Sequence, residues 1–318
     1  MKKILVTGSA GFIGFYVSKN LLTRGFSVVG IDNFNSYYSP ELKESRNKIL
    51  ENYKNYKLYR GDLNNKEFIQ TVFRENKFDK VCHLAAQAGV RYSLTNPEVY
   101  ISSNIVGFLN ILEAMRYNNI KELVYASSSS VYGDNKKSPF SVDDRTDKPI
   151  SIYAVTKKSN ELMAYVYHHL FGINMIGLRF FTVIGPFGRP DMAPFLFADA
   201  IIKNKEIKIF NFGKMLRDFT YVEDISDGVI RALEKVKGFK IFNLGSDKPV
   251  KLEYFISCLE RELDTKAIKK YIDAQPGDVL ETHADIKNTK KELGWKPKTP
   301  IEEAVHLFVE WYKGQNRL

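Results

Sequence analysis

The stretch "VTGSAGFIG", Val6–Gly14, joins an apolar β-rich run to a helical pattern and spaces Gly8, Gly11 and Gly14 three residues apart. Glycines at such a junction let the backbone approach a pyrophosphate, and the N-terminus of the following helix favours its charge. A glycine-rich turn alone can be mere packing, so its meaning depends on the elements around it. Short β-rich runs alternate with helical patterns: "KKILVT", a helix from about Phe12, "SVVGID", a helix from about Pro40, "KLYRGD", "DKVCHLA", "KELVYAS" and "INMIGLRFF". That order predicts an α/β fold, a doubly wound parallel sheet with crossover helices. In such sheets ligands sit beyond the carboxyl ends of the strands.

Asp32 ends the second of these strands, about twenty residues beyond the turn. A carboxylate there accepts both adenosine ribose hydroxyls and repels a 2′-phosphate. Asn33, not an arginine, follows, so the pattern favours NAD over NADP. "GDL" brings Asp62 and Leu63 to the end of the third strand, where an adenine edge would lie; Asp62 as a simple helix cap is an equal alternative.

Composition narrows the function. The chain has 318 residues, 44% of them hydrophobic, enough for one large or two moderate domains. Its net charge of +10 is spread over lysines interleaved with acids, as in "PELKESRNKILENYKNYK". No basic block or reading motif accompanies it, so nucleic acid is not an expected partner, whereas an anionic small substrate would benefit from the same field. The opening "MKKILVTGSAGFIG" is interrupted by glycines and lacks a cleavage-like site, so no signal peptide is expected. No run reaches the ~18 apolar residues of a membrane span. Cys82 and Cys258 have neither metal nor redox spacing, which fits a reduced cytoplasm. The histidines show no metal-ligand spacing either; His83, His168 and His169 are expected to be structural, and no metal is expected.

Two patterns carry chemistry. "YASSSSVYGDN", Tyr125–Asn135, places four serines at the end of a buried-looking strand. "YAVTK" places Tyr153 and Lys157 four apart, on one helix face. A free tyrosine, with a pKa near ~10, is a poor base at neutral pH. A nearby ammonium and an oxidised nicotinamide would favour the phenolate.

With the glycine turn, the serine run and the Tyr-Lys pair together, the chain resembles the extended short-chain dehydrogenase/reductase family of nucleotide-sugar enzymes along essentially its whole length. The resemblance implies a Rossmann-type NAD-binding domain over residues 1–180, joined by about 216–244. A smaller C-terminal α/β substrate domain would comprise 181–215 and 245–318. It also implies Ser128, Tyr153 and Lys157 as the catalytic trio: the serine binds the sugar hydroxyl, the tyrosine moves its proton, and the lysine tunes the tyrosine and holds the nicotinamide ribose. Phe12 and Ile13 of the glycine turn and Leu84, Ala85, Ala86 and Gln87 of "HLAAQAGV" would line the cofactor, as would Asn104 and Phe180. The helices near 98–116 and 152–171 would form a homodimer contact.

The serine run separates the reactions within that family. Members that eliminate water carry acids in a T-D-E-V-Y-G-like stretch, and the related decarboxylases resemble T-S-E-V-Y-G. Ser129 and Ser130 align with those acids. Dehydration needs an acid to protonate a departing hydroxide, and a serine hydroxyl is far too weak. The pattern implies epimerase chemistry. "IDNFNSYYSPELKESR", "AAQAGVRYSLTNPEVY", "RFFTVIGPFGRPDMAPFLF", "GKMLRDFTYVEDI" and "QPGDVLETHAD" resemble one subgroup, the UDP-glucuronate 4-epimerases. Relatives acting on neutral UDP-hexoses commonly have Asn-Pro where Thr182-Val183 stands. Arg189, with its planar fork, together with Ser129, Ser130 and Thr182, is assigned to the sugar carboxylate. Arg189 serving the diphosphate, or only packing its loop, is the alternative. Arg91, Arg217 and Asp278 match substrate-side positions, the last two on the nucleotide half. Ile184 replaces the usual tyrosine of T-V-Y-G-P, and Gln275 stands where many relatives have arginine. The rival readings are a 4-epimerase of neutral UDP-hexoses and a catalytically silent NAD-binding protein.

Overall fold

A computed structural model describes residues 1–273 and 280–315. Its centre is a seven-stranded, all-parallel sheet. β1 (Lys3–Thr7), β2 (Ser27–Asp32), β3 (Tyr56–Arg60), β4 (Lys80–His83), β5 (Glu122–Ser128) and β6 (Asn174–Phe180) are completed by the strand Phe239–Leu244. In space the order is Phe239–Leu244, β6, β5, β4, β1, β2, β3. The strand from the distant part of the chain pairs with β6 along its whole length, Phe239 opposite Met175 and Leu244 opposite Phe180.

The strand residues divide between two cores, as the period of two requires. Ile4, Val6, Val28, Cys82 and Val124 face one. Leu5, Val29, Ile31, Val81 and Leu123 face the other. Both faces are covered, so the inner strands read as continuous apolar runs. β3 is the exception: it is an edge strand whose residues are only partly buried, and its lysine and arginine discourage further pairing.

α1 (Phe12–Thr23), α2 (Pro40–Glu51) and α3 (Lys66–Glu75) make the first crossovers. α2 begins with Pro40 in its first turn, where the missing N–H is no loss. The helix Ile152–Phe171 begins on Ser151, whose hydroxyl accepts from the Ala154 amide at 3.1 Å, and ends on Gly172 in the left-handed region. The rest of the chain adds short ladders: Thr182–Ile184 with Phe219–Tyr221, Glu206–Phe210 with Ile268–Ile272, and Leu216–Arg217 with Val250–Lys251. The helices Leu252–Leu263 and Ile301–Gln315 turn their apolar faces into the core. None of the described helices is long and apolar enough to cross a membrane.

Candidate active site

A cleft of about 470 Å³ lies beyond the carboxyl ends of the strands. The glycine turn forms its floor. A Cβ built on Gly14 would come within 1.9 Å of the Gly8 carbonyl oxygen, so helix and turn pack closer than any side chain allows. α1 starts on Gly11 with no side-chain cap and no acid in its first turn. Its leading N–H groups are thus left for an anion, the arrangement a dinucleotide pyrophosphate fits. Asp32 is fixed at the next strand end, its carboxylate accepting from the Ala10 and Phe34 amides at 3.2 and 2.9 Å. Asn33 donates to Asp62 at 2.7 Å, joining the two strand ends expected to hold adenosine.

Most of the residues singled out in the sequence line this one cleft: Phe12, Ile13, Leu63, Leu84, Ala85, Ala86, Gln87, Phe180, Arg91, Ser128, Ser129, Ser130, Tyr153, Lys157, Thr182, Arg189 and Arg217. Asn104 does not. Its side chain is buried behind the wall, accepting from the Gln87 amide at 2.8 Å and donating to the Gln87 carbonyl and the Thr156 hydroxyl. It holds Gln87, which does line the cleft. The helix widens to π geometry over Ile101–Val106 around it. Ile184 is buried in the core, so its side chain packs. Asp278 and Gln275 lie outside the described residues. His83 is buried against Thr7 at 2.9 Å, and its pKa is pushed down to about 3, first by burial and then by the charge of Lys157. It is a neutral strand residue.

The sequence reading missed Lys43. It projects from α2 into the cleft, donating to the Asn35 carbonyl at 3.0 Å and to its side-chain oxygen at 2.8 Å. Burial lowers its pKa and the charge of Asp32 opposes that effect. A cation therefore does stand near Asp32, supplied by a helix rather than by the residue after the strand. Its signal was the inward position in "PELKESR".

Tyr153 lies in the first turn of its helix, with Lys157 one turn on. Burial raises the phenol's pKa, while a hydrogen bond with Ser128 and the charge of Arg189 act against the rise. The Lys157 ammonium donates to the Ala126 carbonyl at 2.9 Å, and burial pushes its pKa down to about 7. Ser128 also accepts from the Ser130 amide at 3.1 Å, curling the serine run into a 3₁₀ turn over Ser129–Tyr132. Ser128, Ser129 and Ser130 line the cleft together with Thr182 and Arg189.

Arg189 arrives already paired. Its Nε and Nη2 donate to Asp191 at 3.0 and 2.5 Å, and Nη1 has no hydrogen-bond partner among the described residues. Burial works against the guanidinium's charge, but Asp191 more than offsets it and raises the pKa. Asp191 was available to sequence reasoning in the same "GRPD" tetrad.

Residues 5–308 match the family model described as GDP-mannose 4,6 dehydratase. An uncharacterized protein of Methanocaldococcus jannaschii is 56% identical over 98% of this chain and 96% of its own length. UDP-glucuronate 4-epimerase 4 of Arabidopsis thaliana is 47% identical over 97% of this chain and 75% of its own length. Among solved structures, UDP-glucuronic acid 4-epimerase from Bacillus cereus, in complex with UDP-glucuronic acid and NAD, matches with a TM-score of 0.92. It is 34% identical, over 98% of this chain and 99% of that one.

Proposed function

The chain belongs to the GDP-mannose 4,6-dehydratase family of extended short-chain dehydrogenase/reductases, and from that membership and its cleft we propose that it is an NAD-dependent UDP-glucuronate 4-epimerase. It interconverts UDP-glucuronate and UDP-galacturonate through a transient 4-keto sugar. The observation that carries this reading is the serine run. Ser129 and Ser130 line the cleft beside Tyr153 and Ser128, at the positions where members that eliminate water have acids.

The glycine turn, Asp32 and Lys43 would hold NAD, which would supply the acceptor and donor of the C4 hydride. The chain's own residues handle the proton and the orientation. Ser128 bonds the C4 hydroxyl, and Tyr153 Oη takes its proton and later returns one. Lys157, anchored on the Ala126 carbonyl of β5, would hold the nicotinamide ribose. Arg91 and Arg217 line the substrate side, and Asp278 completes the nucleotide half. Residues 1–180 with 216–244 form the cofactor-binding unit, and 181–215 with 245–318 the sugar-nucleotide unit. The apolar side chains exposed along Ile152–Phe171, among them Leu162, Tyr165, Val166 and Leu170, fit a helix-to-helix homodimer contact. Two free, buried cysteines fit a cytoplasmic enzyme.

The test is to incubate the pure protein with UDP-glucuronate, without added NAD, and identify the sugars by NMR. UDP-galacturonate should appear, and protein denatured after purification should release NAD rather than NADP, because Asp32 repels a 2′-phosphate. Turnover of UDP-glucose but not UDP-glucuronate would replace this reading with the neutral-hexose one.

The same site must restrain its intermediate. Oxidised at C4, glucuronate is a β-keto acid, and CO₂ leaves once the carboxylate bond aligns with the carbonyl π system. Ser129, Ser130, Thr182 and the Nη1 that Asp191 leaves on Arg189 hold the carboxylate out of that alignment. Each charge-assisted bond is worth roughly 1.5–3 kcal/mol, and ~1.4 kcal/mol is already tenfold in a rate. Arg189→Ala, or Ser129→Ala with Ser130→Ala, should raise KM for UDP-glucuronate at least about tenfold. Trace UDP-4-keto-pentose should form with matching NADH. Unchanged KM and background CO₂ would remove these residues from the carboxylate site.

A further inference from the structure

Tyr37, Asp191 and Arg189 meet at the rim of the cleft in a contact that the proton relay does not use. Tyr37 belongs to the loop after β2; Arg189 and Asp191 belong to the loop after the strand Thr182–Ile184, which itself follows β6. The Tyr37 hydroxyl donates to Asp191 Oδ2 at 3.0 Å, the oxygen that also accepts from Arg189 Nη2. The guanidinium carbon lies 5.9 Å from the centre of the Tyr37 ring. Burial, and then the charge of Asp191, push the Tyr37 pKa up to about 12, so the hydroxyl remains a donor throughout the physiological range.

Topology gives the contact its consequence. Between β2 and β6 the sheet runs through β1, β4 and β5. The carboxyl ends of those strands carry the glycine turn, Leu84-Ala85 and Ser128. A bond from the loop after β2 to the loop after β6 therefore spans the strand ends along which a dinucleotide would lie. Gly89, at φ +106°, lies against this contact: a Cβ there would be 2.7 Å from the Tyr37 hydroxyl and 3.7 Å from Arg189 Nη2. Bare backbone is what lets the contact sit this close. A second tie holds the far loop at its other end, where buried Arg46 of α2 donates to the Ala10 carbonyl at 2.8 Å and the Phe187 carbonyl at 2.7 Å. Arg46 thus anchors the loop while Tyr37 and Asp191 close it.

We propose that Tyr37 and Asp191 are positioning residues that fasten the 185–192 loop across the cleft. The dinucleotide is then retained through successive turnovers, while sugar nucleotides exchange at the end lined by Arg217 and Thr282. The proposal rests on a dinucleotide in this cleft and not on which sugar is turned over.

The test is an exchange measurement on the full chain. Wild type, Tyr37→Phe and Asp191→Asn are loaded with isotopically labelled NAD and chased with excess unlabelled NAD, and the label retained is followed by mass spectrometry. Removing a hydrogen bond to a charged acceptor should speed exchange about tenfold in Tyr37→Phe. Asp191→Asn, which keeps an acceptor for the tyrosine but loses the ionic half, should fall between. With NAD saturating, Tyr37→Phe should return to wild-type kcat, and its melting temperature without NAD should match wild type. Wild-type exchange in both variants would overturn the proposal, as would faster exchange accompanied by an equally lowered melting temperature. A wild-type chain that takes up no label at all would instead count against the NAD assignment itself.

Discussion

Tyr153→Phe should lower kcat for epimerisation by roughly 10²–10⁴-fold, the usual range for removing a positioned acid-base group, while UDP-sugar affinity stays within a few-fold. The ring makes an edge-to-face contact with Tyr100 at 6.0 Å, which phenylalanine preserves, so the packing of the site survives the change. What disappears is the phenol oxygen that hydrogen-bonds Ser128, the proposed carrier of the proton to and from C4. Burial holds the phenol on its protonated side. Ser128 and Arg189 pull the other way, and both remain in the variant without an acceptor to act on. Progress curves by NMR with calorimetric binding of UDP-glucuronate would separate the two effects. Epimerisation within about tenfold of wild type would take Tyr153 out of the proton path.

The parts of this enzyme legible in the sequence are those fixed by local period and spacing. The glycine turn, the strand alternation and the Tyr153-Lys157 stripe depend on neighbours a few residues away, and the structure forms all of them. What escaped depends on contacts made across the fold. Lys43 was unremarkable in a charged helix until α2 turned it toward Asp32. Tyr37 and Asp191 lie 154 residues apart and gain meaning only where two strand-end loops meet. Asn104, assigned to the cofactor wall by family resemblance, is buried and meets the cleft through Gln87, a contact between two segments that spacing does not show. Lys157 fell on the expected face, but which atom its ammonium would meet was beyond reach of the spacing.

Glu161→Gln should destabilise the fold by about 3–5 kcal/mol, the range for breaking a buried ion pair by neutralising one partner. Glu161 continues the catalytic stripe one turn beyond Lys157, and its carboxylate takes Arg179 of β6 through Nε at 2.8 Å and Nη2 at 3.0 Å. It also accepts from the Ser127 hydroxyl at 2.7 Å. The two charged side chains are only 2% and 3% exposed, so water cannot replace a lost partner. Arg179 is further held by the Val142 carbonyl and by the face of Tyr132, 4.8 Å from the ring centre. Neither supplies a counter-charge. Burial opposes the Arg179 charge, and it is Glu161 that more than restores it. Glutamine matches the shape and keeps one acceptor, so the loss isolates the ionic part. Replacing both partners, Glu161→Leu with Arg179→Met, should recover most of that stability, because no charge is then left buried. Denaturant unfolding of the three proteins decides the matter. A Glu161→Gln variant within about 1 kcal/mol of wild type would mean the guanidinium is solvated in ways the 3% exposure denies. Ser127 directly precedes Ser128, and Glu161 shares a helix face with Tyr153, so Glu161 ties the strand end of the proposed proton path to its helix. The double variant should therefore regain stability without regaining the full kcat.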